Sequence, residues 1–160
     1  MGYQFIERTA VPAWGPQQAD TLLATGTVAG AMDATFSNTS KLEIFRLSGD
    51  GAGSAAVAAG AVEASARFQR LAWQTQGLEA RPLGLLAGGL ENGDVAFWDA
   101  DKILAGEDAV VHSSSAHTGA VCGLEFNPQQ ANLVATGATN GEVFVWDIVS
   151  EFKSHSAGAR

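Results

Sequence analysis

A single cysteine, Cys122, is the whole thiol content of this 160-residue chain. One cysteine excludes an intramolecular disulfide and a multi-cysteine zinc site, and it fits a compartment where thiols stay reduced, the cytosol. Cys122 falls in an expected strand, where buried packing is its expected role. Basic residues are scarce as well: nine Lys and Arg stand against seventeen Asp and Glu, a formal charge of −8. A phosphate backbone needs clustered cations, so nucleic acid is not an expected partner. Long apolar runs are missing too. AAVAAGAV (55–62) falls far short of the ~20 residues that a spanning helix requires. Glu7 and Arg8 interrupt the N-terminus before an apolar segment could form, so no secretory signal is expected. Ile6 occupies the place where an N-myristoylation motif wants Ser or Thr.

The usual marks of catalysis and cofactor binding are absent from the sequence. LAGGLENG (86–93) is glycine-rich, but it matches neither G-x-G-x-x-G nor the phosphate-loop pattern. His112, His117 and His155 lack metal-ligand spacing. Asp99-Ala100-Asp101 opens like a calcium loop and then lacks the central Gly and the closing Glu. No Ser/His/Asp or Cys/His set stands out. The expectation is a protein that is not an enzyme, with no cofactor and no metal.

What the chain does have is glycine, nineteen residues of it, with only 16% charged residues. That balance suits a turn-rich β protein better than a helical one. Small-residue runs recur as LLATG (22–26), LLAGG (85–89) and LVATG (133–137). The last two are followed at equal distance by ENGDVAFWD (91–99) and TNGEVFVWD (139–147), so Ala87 and Ala135 are 48 residues apart, as are Trp98 and Trp146. An aromatic precedes each copy: Trp14, Trp73 and Phe126. A fixed period of this size marks one supersecondary unit repeated. Within a copy the grammar is strand, turn, strand, turn, strand, with Asn92-Gly93 a strong hairpin turn.

The clearest copy, AHTGAVCGLEFNPQQANLVATGATNGEVFVWDI (116–148), opens on His-Thr-Gly and closes on Trp-Asp. In this it resembles a WD-repeat blade. The resemblance implies an all-β fold, a WD-repeat β-propeller with three blades present, part of a seven-bladed ring. Residues 1–148 form the partial propeller, with blade one about 9–62, blade two about 68–113 and blade three about 117–148. Residues 149–160 are read as a disordered tail. The resemblance also places His117, Thr136, Asn140 and Trp146 in a structural hydrogen-bond relay, since a buried imidazole and indole each need a partner. A plain surface-loop histidine is the other reading of His117. Copy two has Gly88 where copy three has Thr136 and no matching histidine, so its relay is missing.

Copy one carries an insertion. Ala24 lies 21 residues before Phe45, whereas Ala87 lies 11 before Trp98. Within it, Met32 and Phe36 are expected to cover the edge of a neighbouring blade. Residues 49–66 hold 12 Gly or Ala in 18, with a strand expected near 55–62 and a short helix as the alternative. In copy two Glu91, Asp94, Asp99, Asp101, Glu107 and Asp108 face one base, Lys102. They form either an acidic docking rim or a solvated loop.

Longer words match one family. RTAVPAW (8–14), MDATFSNTSKLEIF (32–45), AGGLENGDVAFWDADKILAGED (87–108) and HTGAVCGLEFNPQQANLVATGA (117–138) resemble the N-terminal propeller of the larger outer-cage subunit of the COPII vesicle coat. That subunit combines a propeller with an α-solenoid. The resemblance implies a structural and assembly role in vesicle transport from the endoplasmic reticulum to the Golgi. It places the chain in the cytoplasm, at endoplasmic reticulum exit sites and on the cytosolic face of the vesicle coat. Expected partners of the longer protein are the smaller six-bladed cage subunit, the inner-coat adaptor and the GTPase, with membrane contact only through the coat. The ending SEFKSHSAGAR (150–160) departs from the family pattern. A generic WD-repeat scaffold or adaptor of another multiprotein complex is the alternative.

Overall fold

The computed structural model describes residues 4–17, 20–30, 39–47, 56–76, 81–149 and 153–156. Met32 and Phe36 lie outside them.

Among the described residues, twelve strands form three four-stranded antiparallel sheets, each a plain meander in chain order. Sheet I comprises β1 (Ala10–Trp14), β2 (Thr21–Thr27), β3 (Ser40–Leu47) and β4 (Val57–Ala64). Sheet II comprises β5 (Phe68–Trp73), β6 (Leu85–Leu90), β7 (Val95–Asp99) and β8 (Val110–Ser114). Sheet III comprises β9 (Val121–Phe126), β10 (Leu133–Ala138), β11 (Val143–Asp147) and β12 (Lys153–Ser156). The described residues are all-β apart from a six-residue helix, α1 (Ala100–Ala105), between β7 and β8.

The three sheets share one register. Ala24 opposes Ile44, Ala87 opposes Phe97 and Ala135 opposes Val145. Trp14 opposes Leu23, Trp73 opposes Leu86 and Phe126 opposes Val134. Because side chains alternate across a strand, equal register puts equivalent residues on equivalent faces. Each sheet therefore has a leading face, turned toward the sheet that follows, and a trailing face, turned toward the one before. Leu22, Ala24, Leu42 and Ile44 of the sheet I leading face pack on Leu71, Trp73, Leu86 and Trp98 of the sheet II trailing face. One step on, Leu85, Ala87, Val95 and Phe97 pack on Leu124, Phe126, Val134 and Trp146. Sheet II is covered on both sides, and all eleven residues of β6 and β7 are buried. That explains why LLAGGL and VAFWD read as continuous apolar or small runs rather than as alternating strands.

Glycines set how closely the sheets approach. A Cβ on Gly26 would lie 2.6 Å from the ring of Phe68, the first residue of β5. A Cβ on Gly89 would lie 2.6 Å from the carbonyl oxygen of Val121, the first residue of β9. The start of each following sheet thus sits on a glycine of the one before. Gln74 adds a polar key: its Oε1 accepts from Leu85 N at 3.1 Å, and its Nε2 donates to the Ala131 carbonyl of sheet III at 2.6 Å.

Helix α1 was not foreseen. Asp99 caps it, Oδ1 accepting from Asp101 N and Lys102 N at 3.0 and 3.3 Å, and Gly106 ends it at φ +71°. Its chain packs on β4, where a Cβ at Gly60 would lie 2.5 Å from the Ile103 carbonyl oxygen. The helix therefore clamps sheet II onto the outer strand of sheet I. Two expectations are corrected. Residues 153–156 of the supposed disordered tail pair with β11, because β11 offers an open edge of unpaired backbone groups. Cys122 is exposed rather than packed, because Val121 and Leu124 take the inward positions around it.

Candidate functional site

Two features stand out as sites: a buried polar cluster in sheet III, and apolar side chains exposed on the outward sides of sheets I and III. The cluster begins at Trp146, whose indole can only donate. Its Nε1 donates to Thr136 Oγ1 at 2.8 Å, and Thr136 Oγ1 lies 2.8 Å from His117 Nε2. An ionised Glu142 can only accept, so it assigns the proton of a neutral His117 ring to Nδ1, and the Thr136 hydroxyl, which receives the indole hydrogen, gives its own to Nε2. That Nδ1 faces Glu142 Oε2 at 3.3 Å. Phe144 lies over the imidazole, centroids 4.5 Å apart.

Glu142 is the member that sequence reasoning missed. Asn140 does not touch His117. Its Nδ2 donates to Thr118 Oγ1 at 2.6 Å, and Glu142 receives Thr118 N at 2.8 Å and Thr118 Oγ1 at 2.7 Å. Asn140 shapes the turn, and the longer Glu142 side chain reaches the ring. The signal was present in the repeat: Asn92-Gly93-Asp94 and Asn140-Gly141-Glu142 place an acid at the same point, 48 residues apart. These Thr118 hydrogen bonds bring the Glu142 carboxyl down to about 2. Burial lowers His117 below its ordinary value, and Glu142 opposes that in part.

Glu142, His117 and Thr136 are connected in the order of a carboxylate, base and nucleophile. Thr136 is only 2% exposed, its oxygen already holds Trp146 and His117, and no substrate can reach it. Sheet II lacks the arrangement. A Cβ on Gly88 would meet the Phe68 ring at 2.6 Å, so Phe68 fills the space of a threonine. Trp98 Nε1 is accordingly buried without a partner.

The acidic rim is not one surface. Glu91 and Asp94 lie at the β6–β7 turn, whereas Asp99, Asp101, Glu107 and Asp108 lie at the opposite end of β7, around α1. Most of these residues serve local structure. Asp94 accepts from Ser115 Oγ at 2.6 Å and from Asn92 Nδ2 at 2.8 Å. Asp99 is buried, holding the helix cap and Arg81 Nε at 3.0 Å, and Asp101 accepts from Leu83 N at 3.1 Å. Glu91 receives Arg67 N at 3.4 Å and Asp108 receives Val110 N at 3.4 Å. Among the described residues no group of three or more His, Cys, Asp or Glu is placed to hold a metal ion.

The exposed apolar side chains are a different matter. The leading face of sheet III carries Leu133, Ala135, Val143 and Val145, the positions that are buried in the two sheets before it. Ala135 is exposed and Val143 is 50% exposed, while the equivalent Leu42 and Val95 are at 0%. A groove of about 300 Å³ opens there, lined in part by Asn127, Pro128, Leu133 and Val145. The trailing face of sheet I carries Trp14, 63% exposed, where Trp73 is 5% exposed in sheet II. Such apolar exposure at both ends is the mark of a contact surface.

No protein-family model matches the chain. The protein transport protein SEC31 of Mycosarcoma maydis is 48% identical over 167 residues, covering 98% of this chain and 12% of that protein. The protein transport protein Sec31A of Danio rerio is 43% identical over 147 residues, covering 89% of this chain and 12% of that protein. Among solved structures, one described as "COPII on membranes, outer coat vertex" superposes with a TM-score of 0.73 at 28% identity, over 96% of this chain and 39% of that one. A chain of a mitotic checkpoint complex superposes at 0.61 with 20% identity, a likeness of fold alone. The homology is to protein transport proteins, and it supports a structural, protein-interaction role for this segment. The chain is homologous to the Sec31 proteins over a segment that makes up about 12% of their length.

Proposed function

We propose that the three sheets are consecutive blades of a WD-repeat propeller with seven blades in the complete ring, and that this segment serves the outer cage of the COPII coat. Its part there is structural. It presents loops and faces to other coat subunits during vesicle transport from the endoplasmic reticulum to the Golgi. The observation that carries the reading is the superposition on an outer-coat vertex over 96% of the chain at 28% identity. Physical chemistry agrees with the role. His117, Thr136, Glu142 and Trp146 spend their polar capacity on one another, so the entering loop of sheet III is held rigid and catalyses nothing. The partners proposed for the longer protein are the smaller cage subunit, the inner-coat adaptor and the GTPase, and the site of action is the cytosolic face of exit sites.

The test is recruitment. Liposomes coated with purified inner-coat proteins are floated with the labelled longer protein that contains this segment, wild type or with the loop residues 118 and 140 replaced by Lys. The wild type is expected to float with the coat, and the loop variant to bind but assemble fewer cage vertices by electron microscopy. A protein that stays in the soluble fraction, or vertices unaffected by the change, would count against the assignment.

A further inference from the structure

The three sheets fasten the chain that enters them in different ways. In sheet III the entering chain lays His117 over Phe144 and ties the imidazole to Thr136 and Glu142. In sheet II the Phe68 ring fills the place of a threonine beside Gly88. Sheet I has neither device. Ile6 lies as far before β1 as His117 lies before β9, so the histidine is missing. Leu23 opposes Phe45 as Val134 opposes Trp146, and Thr25 opposes Glu43 as Thr136 opposes Phe144. Phe45 therefore stands in the place of Trp146, and Glu43 in the place of Phe144. Onto this pair the entering chain lays Arg8. Its Nε donates to Glu43 Oε2 at 2.7 Å and its Nη2 to Oε1 at 3.2 Å, while Cζ lies 5.8 Å from the centre of the Phe45 ring. The Glu43 side chain is 16% exposed and Phe45 is buried beneath the guanidinium. The hydrogen bonds to Glu43 raise Arg8 above its ordinary value. Thr9 follows, and its carbonyl accepts from Val28 N at 3.1 Å. The next amide, Ala29 N, donates to the Phe68 carbonyl at 2.8 Å.

We propose that Arg8 and Glu43 are the positioning residues of sheet I, an ionic lock that does for its entering chain what His117 and Thr136 do in sheet III. Two N–H groups on one carboxylate fix an angle as well as a distance, which a single ammonium cannot do. Phe45 has no N–H to place, so no threonine relay is needed, and its ring face is free to receive a cation. Exposed ion pairs contribute little, and the same sheet carries an example: Arg46 and Asp20 meet at 2.8 Å with 53% and 58% of their side chains exposed. Arg8–Glu43 differs in using both prongs and in keeping most of the carboxylate out of water. The lock acts locally. It holds Thr9 against Val28, and Val28 is bridged in turn to Phe68 at the join of sheets I and II. The three entries then answer to different chemistry: loss of a charge in sheet I, loss of packing in sheet II, acid in sheet III. The role depends on the shared register of the sheets and on no coat partner.

The experiment is amide hydrogen exchange of the purified chain, read residue by residue by NMR. R8Q and E43Q are each expected to speed exchange at Val28 N by about threefold to fivefold, the scale of a well-formed ion pair, and to leave the amides of β10 and β11 unchanged. The double variant R8Q/E43Q is expected to exchange no faster than either single one, because one interaction is lost once. R8K keeps the charge and loses the fork, so its rate at Val28 should fall between those of wild type and R8Q. R46Q, which removes the exposed pair with Asp20, should leave Val28 as it is. A Val28 rate indifferent to R8Q overturns the proposal. So does a double variant whose effect is the sum of the two single ones, or a rise in β10 and β11 equal to that at Val28, since either would mean general destabilisation in place of a lock.

Discussion

Thr136 is the residue on which the sheet III cluster turns, because one hydroxyl serves two buried partners. T136V keeps the shape and removes the oxygen, leaving Trp146 Nε1 and His117 Nε2 unpaired. Leaving buried polar groups unsatisfied costs about 1–3 kcal/mol each, so T136V is expected to lose about 2–4 kcal/mol in urea unfolding, with T136S close to wild type. The same cluster makes the fold acid-sensitive. His117 is held below its ordinary 6.5, so the unfolded chain takes up that proton first, and stability present above pH 6.5 falls as pH drops below it. Glu142 is at about 2 against 4.5, so a second loss follows as pH falls from 4.5 toward 2. Urea midpoints measured against pH should show both losses, with E142Q erasing the lower one. His117, Thr136 and Trp146 were named by the resemblance to the repeat, which also named Asn140. Glu142 was not singled out, because nothing in a linear reading says which of the two turn side chains, Asn140 or Glu142, reaches the ring. At Gly88 the prediction is reciprocal. G88T alone collides with Phe68 and should cost about 1–3 kcal/mol, whereas F68V/G88T opens the space and gives Trp98 Nε1 an acceptor, recovering part of that loss.

At the scale of elements, α1 is the piece with most to explain. ADKILA is one and a half turns, too short for a helical period to show in the sequence, and its place between two strands suggested only a loop. Its signals were local: Asp99 as cap, Gly106 as stop. Asp99 and Asp101 looked like free surface charge because the groups they bind, backbone N–H groups and Arg81, are not adjacent in a way a sequence displays. G60V should push α1 away from β4 and lower stability by about 1–3 kcal/mol, since the Ile103 backbone cannot yield as a flexible side chain would. D99A removes the cap and strands Arg81, a loss of about 1–2 kcal/mol that thermal melting would detect. If both variants melt like wild type, α1 does not clamp the sheets.

Over the whole molecule, the three-sheet plan was legible because a repeated unit must repeat its burial. Leu22, Leu85 and Leu133 recur since each lies on a leading face, and Trp14, Trp73 and Phe126 since each closes a first strand. The fourth strands were harder. β4 and β8 sit at sheet edges with one face half exposed, so AAGAVEA and VVHSS carry weak alternation. KSHS carries none, and backbone pairing along the β11 edge defines it.

The one-directional order of the joins has a consequence for biosynthesis. The leading faces of sheets I and II are each covered by the sheet made next, so a ribosome producing this chain has a finished sheet waiting at each step. Leu22 and Ile44 wait for Trp73 and Trp98, then Leu85 and Phe97 wait for Phe126 and Trp146. The 48 residues from Trp98 to Trp146 correspond to roughly 2–10 s of translation at about 5–20 residues per second. Chaperone crosslinking to stalled nascent chains should follow that clock. Contact is expected at Leu85 and Phe97 while residues up to about 110 have emerged, and it should disappear once β11 is out.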